Sequence, residues 1–220
     1  MLTLLLGVLS AAPQGLAALP DDALLLVANK QEHTLSIIDI ESGRLLATLP
    51  TGTGPHEVAV TADGRRAVVA NYGDRTPGNS LTVVDLESRS VLRTIDLGGY
   101  RRPHGLVVLP GDSLVVVTVE ASQAVVLVSL AGEVRAAIAT GARGSHMVAV
   151  TADGRRGYTA NVGSGSITEV DLATLKTLRS LPVAPGTEGV AVTPDGSEIW
   201  VGSNGEHTVT VVDADTWQPV

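Results

Sequence analysis

Residues 55–85 read PHEVAVTADGRRAVVANYGDRTPGNSLTVVD, and the rest of the chain is built from copies of this unit. Its opening returns at residues 145–156 as SHMVAVTADGRR, at 187–197 as TEGVAVTPDGS, and in divergent form at 103–113 as PHGLVVLPGDS. The residue ahead of each apolar run is His56, His104, His146 or Glu188, at steps of 48, 42 and 42. The longer first step carries an insertion, DRTPGN. The residue closing each TVVD-like run is Asp39, Asp85, Asp171 or Asp213, with Ser129 in the divergent copy, at steps of 46, 44, 42 and 42. Several short strands within a repeat of roughly 40–50 residues are the signature of a β-propeller blade. The expected fold is all-β: a propeller of four-stranded antiparallel blades.

Composition agrees with that reading and narrows the function. The chain has 220 residues, is 44% hydrophobic and has no Phe, so its core must come from Val, Leu, Ile and Ala. Val-rich alternation suits pleated strands. A net charge of −8 is the wrong sign for binding phosphates, so no nucleic-acid partner is expected. The pairs Arg65–Arg66, Arg101–Arg102 and Arg155–Arg156 read as solvated turn charges. With no cysteine, the chain has no disulfide, thiolate metal site, iron–sulfur cluster or c-type haem attachment.

Residues 1–17, MLTLLLGVLSAAPQGLA, read as a signal peptide. The apolar run of residues 2–12 is too short to span a bilayer, and Gly15 and Ala17 supply small residues before a cleavage site near Ala18. The stretch departs from the usual pattern in having no Lys or Arg at its start. The expected location is periplasmic or secreted, with no membrane span left after signal removal.

Residues 18–220 are then one propeller domain, since a single blade cannot bury both faces of its sheet. Blade one, about 23–50, contains counterparts of the second, third and fourth strands of the repeat but lacks the innermost one. Blade two spans about 56–97, blade three 104–139, blade four 146–182 and blade five 188–220, the last stopping where its outer strand begins. About five blades ending in mid-pattern describe an incomplete ring, and a seven-bladed full-length protein is the expectation. The Asp63-Gly64 and Asp153-Gly154 pairs signal tight hairpins, because such turns require positive φ.

The strings VANKQEHTLSIIDIESGRLLATLPTG and GVAVTPDGSEIWVGSNGEHTVTVVDADT resemble the YVTN repeat, in which a Tyr-Val-Thr-Asn-like strand precedes a TVSVID-like strand. The chain is similar to YncE-type seven-bladed propellers over nearly everything after Pro20. The resemblance implies an exported protein, most such proteins having no established enzymatic activity. Similar propellers occur in nitrous-oxide reductase, in the haem d1 domain of nitrite reductase and in lactonases, and fold alone does not choose among them.

Strand direction separates the two rims. One holds the tight turns. The other gathers the variable elements: residues 31–33, a long loop at 72–79, and residues 98–102, 141–145, 163–165 and 205–207. Variable loops on a rigid scaffold are where binding usually sits. His56, His104, His146 and Glu188 begin the innermost strands and should form an arc at the channel mouth on that rim, with Arg101, Arg102 and Arg143 beside them. The arc admits three roles: a repeated structural contact, ligand binding, or a metal site. Three imidazoles and a carboxylate suit zinc or copper. His33 and His207 read as solvated, the recurring Asp residues as turn caps, and Asn29, Asn71 and Asn161 as partners of loop backbone. Neither phosphate-cradle spacing nor a G-x-S-x-G elbow is present.

The expected function is that of an exported scaffold binding a small ligand or protein on the variable rim. The alternative is a metal- or cofactor-dependent oxidoreductase, or a lactonase-type hydrolase, using the histidine-bearing rim.

Overall fold

Alternation along one strand feeds two cores. In the run Ala67-Val68-Val69-Ala70, Ala67 and Val69 pack toward the preceding blade, while Val68 and Ala70 pack toward the following one. All four are fully buried. A strand covered on both faces reads as continuously apolar, and its side chains still divide by their period of two.

The computed structural model describes residues 23–220, so the expected signal peptide lies outside the described residues. Five antiparallel sheets follow one another along the chain. The first contains β1 (Leu24–Asn29), β2 (Thr34–Asp39) and β3 (Leu45–Pro50), without an innermost strand among the described residues. The second contains β4 (Pro55–Val60), β5 (Arg66–Gly73), β6 (Pro77–Asp85) and β7 (Ser90–Asp96). The third contains β8 (Pro103–Val108), β9 (Leu114–Val119), β10 (Ala124–Ser129) and β11 (Val134–Ala139), with a 3-10 turn at Glu120–Ser122. The fourth contains β12 (Ser145–Val150), β13 (Arg156–Asn161), β14 (Ser166–Asp171) and β15 (Lys176–Pro182). The fifth contains β16 (Thr187–Val192), β17 (Glu198–Ser203), β18 (Thr208–Asp213) and the two-residue β19 (Gln218–Pro219). This is a partial β-propeller. Its core is four apolar clusters, one in each interface between neighbouring blades. No helix among the described residues is long and apolar enough to cross a membrane.

Hydrogen bonds staple the blades at both rims. Asp112 accepts the N–H groups of Ala62 and Asp63 at 2.8 and 3.2 Å, tying the turn of blade three to that of blade two. On the other rim His33 Nδ1 accepts the Gly54 N–H at 3.0 Å, so His33 is a clasp between blades one and two and not merely solvated.

Three local expectations are corrected. Residues 72–79 are a hairpin and not a long loop: β5 continues to Gly73, β6 begins at Pro77, and only residues 74–76 form the tip. Gly73 permits this with φ of +91° and a pocket so close that a Cβ would lie 2.2 Å from Gly78 N. In the Asp-Gly turns only the glycines take positive φ, +71° at Gly64 and +72° at Gly154. Asp63 keeps an ordinary conformation and accepts from the Thr61 hydroxyl at 2.6 Å and the Arg65 N–H at 2.9 Å, which widens the loop. The recurring asparagines bond mainly to side chains of the adjacent strand. Asn71 Nδ2 donates to Ser80 and Thr82, both at 3.0 Å, and Asn161 Nδ2 donates to Thr168 at 2.9 Å. Asn71 also reaches backbone, where its Oδ1 accepts the Gly52 N–H at 3.1 Å.

Candidate functional site

Each innermost strand loses register at its second residue. The ladder skips between Pro55 and Val58, Pro103 and Leu106, Ser145 and Met147, and Thr187 and Gly189. A bulge leaves the extra residue unpaired and re-aims its side chain. The re-aimed residues are those of the predicted arc: His56, His104, His146 and Glu188. The first three meet ring to ring, His56 to His104 at 4.3 Å between centroids and His104 to His146 at 3.8 Å. Glu188 extends the row, with Oε1 3.8 Å from His146 Nε2 and its other oxygen accepting from Asn204 Nδ2.

The closest approach has a cause in the chain. Gly105 follows His104, and a Cβ there would lie 2.8 Å from Met147 Cα and 2.9 Å from Val148 N. Without a side chain, β8 can press against the backbone of β12. Thr118 fastens the same contact, donating its hydroxyl to the His146 carbonyl at 2.6 Å.

A second set of residues joins the arc from the end of each second strand. Asn29, Val119, Asn161 and Ser203 are the last residues of these strands, and Asn71 holds the equivalent place in β5, which runs on to Gly73. The residues that follow are Lys30, Tyr72, Glu120, Val162 and Asn204. The Tyr72 ring lies edge-on to His56 at 5.5 Å and to His104 at 5.3 Å, and its hydroxyl donates to Glu120 Oε2 at 2.9 Å. Lys30 Nζ and the Arg102 guanidinium lie 5.0 and 4.6 Å from the Tyr72 ring centroid. Lys30, Tyr72 and Glu120 were missed in the sequence, although they occupy one alignable position, directly after the place that holds asparagine in three blades.

The predicted arginines divide. Arg102 belongs to the cluster through Tyr72. The Arg101 guanidinium turns back onto the Gly98 carbonyl, and Arg143 keeps an exposed side chain while its backbone N–H donates to Ser164 Oγ at 2.8 Å.

Electrostatics at the mouth follow from burial. His104 is 3% exposed. Its desolvation, together with the neighbouring His146, His56 and Lys30, pulls the imidazole down to about 2, so it is neutral at physiological pH. Burial and the bond to Glu120 push the Tyr72 phenol up to about 12 and keep it a donor. Desolvation, with the Arg102 charge, draws Lys30 below the ordinary lysine range, and Glu120 opposes that shift. Among the described residues, His104 Nδ1 and His146 Nδ1 are buried without a hydrogen-bond partner. A buried polar nitrogen left unpaired costs about 1–3 kcal/mol. Adjoining the cluster, a cavity of about 360 Å³ is lined by Lys30, Gln31, His33, Gly54, Gly73 and Asp74.

A second concavity, of about 460 Å³, lies on the tight-turn rim between blades four and five. Here the charges meet one another. Glu169 accepts from Arg179 Nε at 2.5 Å and faces Arg156 Nε at 3.9 Å, and Arg156 also bonds Asp171 at 3.1 Å. Arg179 donates in addition to the Ala214 carbonyl at 2.6 Å and covers the Trp217 ring at 4.3 Å.

Residues 8–111 and 109–220 each match the YncE-like beta-propeller family. No protein of curated function matches the sequence. Among solved structures, a functionally unknown protein from Desulfotomaculum acetoxidans is similar with a TM-score of 0.76 at 18% identity, covering 92% of this chain and 67% of that one. Hydrazine synthase from Kuenenia stuttgartiensis is similar with a TM-score of 0.67 at 19% identity, covering 89% of this chain and 74% of its own. At such identities the likeness is one of fold.

Proposed function

The chain belongs to the YncE-like β-propeller family, and from that premise we propose that it is an exported scaffold that binds a small polar ligand at the mouth of its hub. The supporting observation is the buried histidine row, in which two imidazole nitrogens take no protein partner. Had the histidines recurred only to tie one blade to the next, each ring would bond a neighbouring carbonyl. Instead the rings contact each other, Lys30, Arg102, Glu120 and Glu188 supply charge of both signs around them, and Tyr72 adds a hydroxyl donor. A rigid site of mixed donors and acceptors beside a small cavity suits a compact ligand bearing carboxylate, phosphate or hydroxyl groups.

Two measurements test the reading. Amino-terminal sequencing of the protein from its host should find a mature start near Ala18. A start at Met1 would remove the export part. For the ligand, the ring resonances of the five histidines are followed against a panel of di- and tricarboxylates, sugar phosphates and amino acids, in EDTA and again with Zn2+. The expected result is a compound that shifts His104 and His146, leaves the exposed His207 unmoved, and loses its effect in His146→Gln. If nothing in either condition moves the hub resonances, the small-ligand reading fails.

A further inference from the structure

Among the described residues, two sets of potential metal ligands bring their donor atoms within 4.8 Å of one another at the hub: His104, Glu120 and His146 in one, His56, Glu57 and His104 in the other. The first set has the stronger case. Both unpartnered buried imidazole nitrogens among the described residues, His104 Nδ1 and His146 Nδ1, belong to it. By contrast, His56 Nδ1 already faces Glu57 Oε1 at 3.4 Å. His104 is more than nine-tenths buried, so bulk water does not serve its free nitrogen. Glu120 is fixed in the way that ligating carboxylates are fixed, by an outer hydrogen bond: Tyr72 donates to Oε2 and leaves the other oxygen as a donor atom.

Resting on the ligand-binding reading of this mouth, we propose that His104, His146 and Glu120 hold one divalent transition-metal ion. Two imidazoles and a carboxylate are donors that zinc and its neighbours accept, and three protein ligands leave a coordination position open toward the mouth. Calcium and magnesium, which demand oxygen ligands, are the wrong ions for this set. The local charge is mixed. Glu57, Glu120 and Glu188 favour a cation, while Lys30 and Arg102, both against the Tyr72 ring, oppose it. The expected affinity is therefore that of a site made by its ligand atoms and not by a general negative field.

The test uses the full chain stripped with chelator and titrated with Co2+, read by calorimetry and by visible ligand-field absorption. One Co2+ per chain is expected. Affinity should fall roughly a hundredfold or more in His146→Gln and in Glu120→Gln, and roughly tenfold in Tyr72→Phe, which removes only the outer bond. Because His104 is buried and its variant is at risk of not folding, the less completely buried His146 and Glu120 carry the test. No Co2+ binding overturns the proposal. So does binding that both variants retain, which marks an adventitious ion only. A chain that binds no Co2+ but answers the small-molecule panel in EDTA loses the metal and keeps the ligand-binding mouth. One that answers neither loses both.

Discussion

The hub mouth and the groove between blades four and five are lined by the same kinds of side chain, but they use them in opposite ways. In the groove, Glu169 is 5% exposed and meets two arginines, one of which also caps a backbone carbonyl and covers an indole. Trp217 Nε1 is the one donor there that is both fully buried and unpartnered among the described residues. At the hub, two of three adjoining imidazoles keep a buried nitrogen without a partner among the described residues. Folded proteins satisfy nearly every buried polar group they can. A cluster that leaves such groups open is shaped by something other than its own stability, whereas a cluster that closes its pairs internally is part of the scaffold. The larger cavity is thus the structural one, and the crowded row of rings is the candidate site.

That contrast is broken most directly in the groove. Glu169→Ala removes the buried carboxylate from two arginines that remain partly exposed. Urea unfolding should show a loss of about 3 kcal/mol, at the low end of what breaking a buried pair costs, with the hub histidine resonances unmoved. A neutral outcome would strip the groove of its structural role. Gly105→Ala should cost about 1–3 kcal/mol by overpacking β8 against β12. It should also shift His104 and His146, which the groove variant should not.

Acid offers a graded version of the same contrast. The folded state holds His104 neutral down to about 2, while the unfolded residue titrates near 6.5, so the unfolded chain binds the extra proton between those values. Stability of the metal-free chain should therefore fall as pH drops below about 6.5, this residue contributing up to about 1.4 kcal/mol per pH unit. Subtracting the curve of a folded His104→Asn variant should remove that component. The smallest effect is expected at His146→Gln. The Nδ1 of this ring makes no hydrogen bond, so unfolding free energy should change by no more than about 0.5 kcal/mol while hub binding is lost. A loss of several times that figure would make the histidine row a structural device after all.

Much of this architecture could be read from the repeat. The apolar runs after His56, His104, His146 and Glu188 announce the innermost strands, and their shared position places the four residues at one mouth. What could not be read depends on contacts between copies. Tyr72 looked like the start of a loop because Gly73, Gly78 and Pro77 are turn residues in most settings, yet here they carry a hairpin. Glu120 follows a strand that ends in Val119 where three other blades have asparagine, so it gave no sign of sharing a position with Lys30 and Tyr72. The asparagines were legible as local anchors, but their Ser and Thr partners lie on another strand, at a register no single segment reveals. His33 looked solvated because its partner, the Gly54 N–H, belongs to the next blade.

The residues at the outer end of the second strands have a further consequence. Positions 30, 72, 120, 162 and 204 are occupied by Lys, Tyr, Glu, Val and Asn, five unlike side chains in one structural slot. The blade beneath each slot is held by its apolar faces and its turns, which do not depend on what the slot contains. The mouth can therefore be rewritten one blade at a time without redesigning the barrel of sheets that carries it. A combinatorial library confined to these five codons would sample many different hubs on a nearly constant frame. Gene duplication of the repeat supplies the same freedom in nature, because each new blade arrives with its own blank slot.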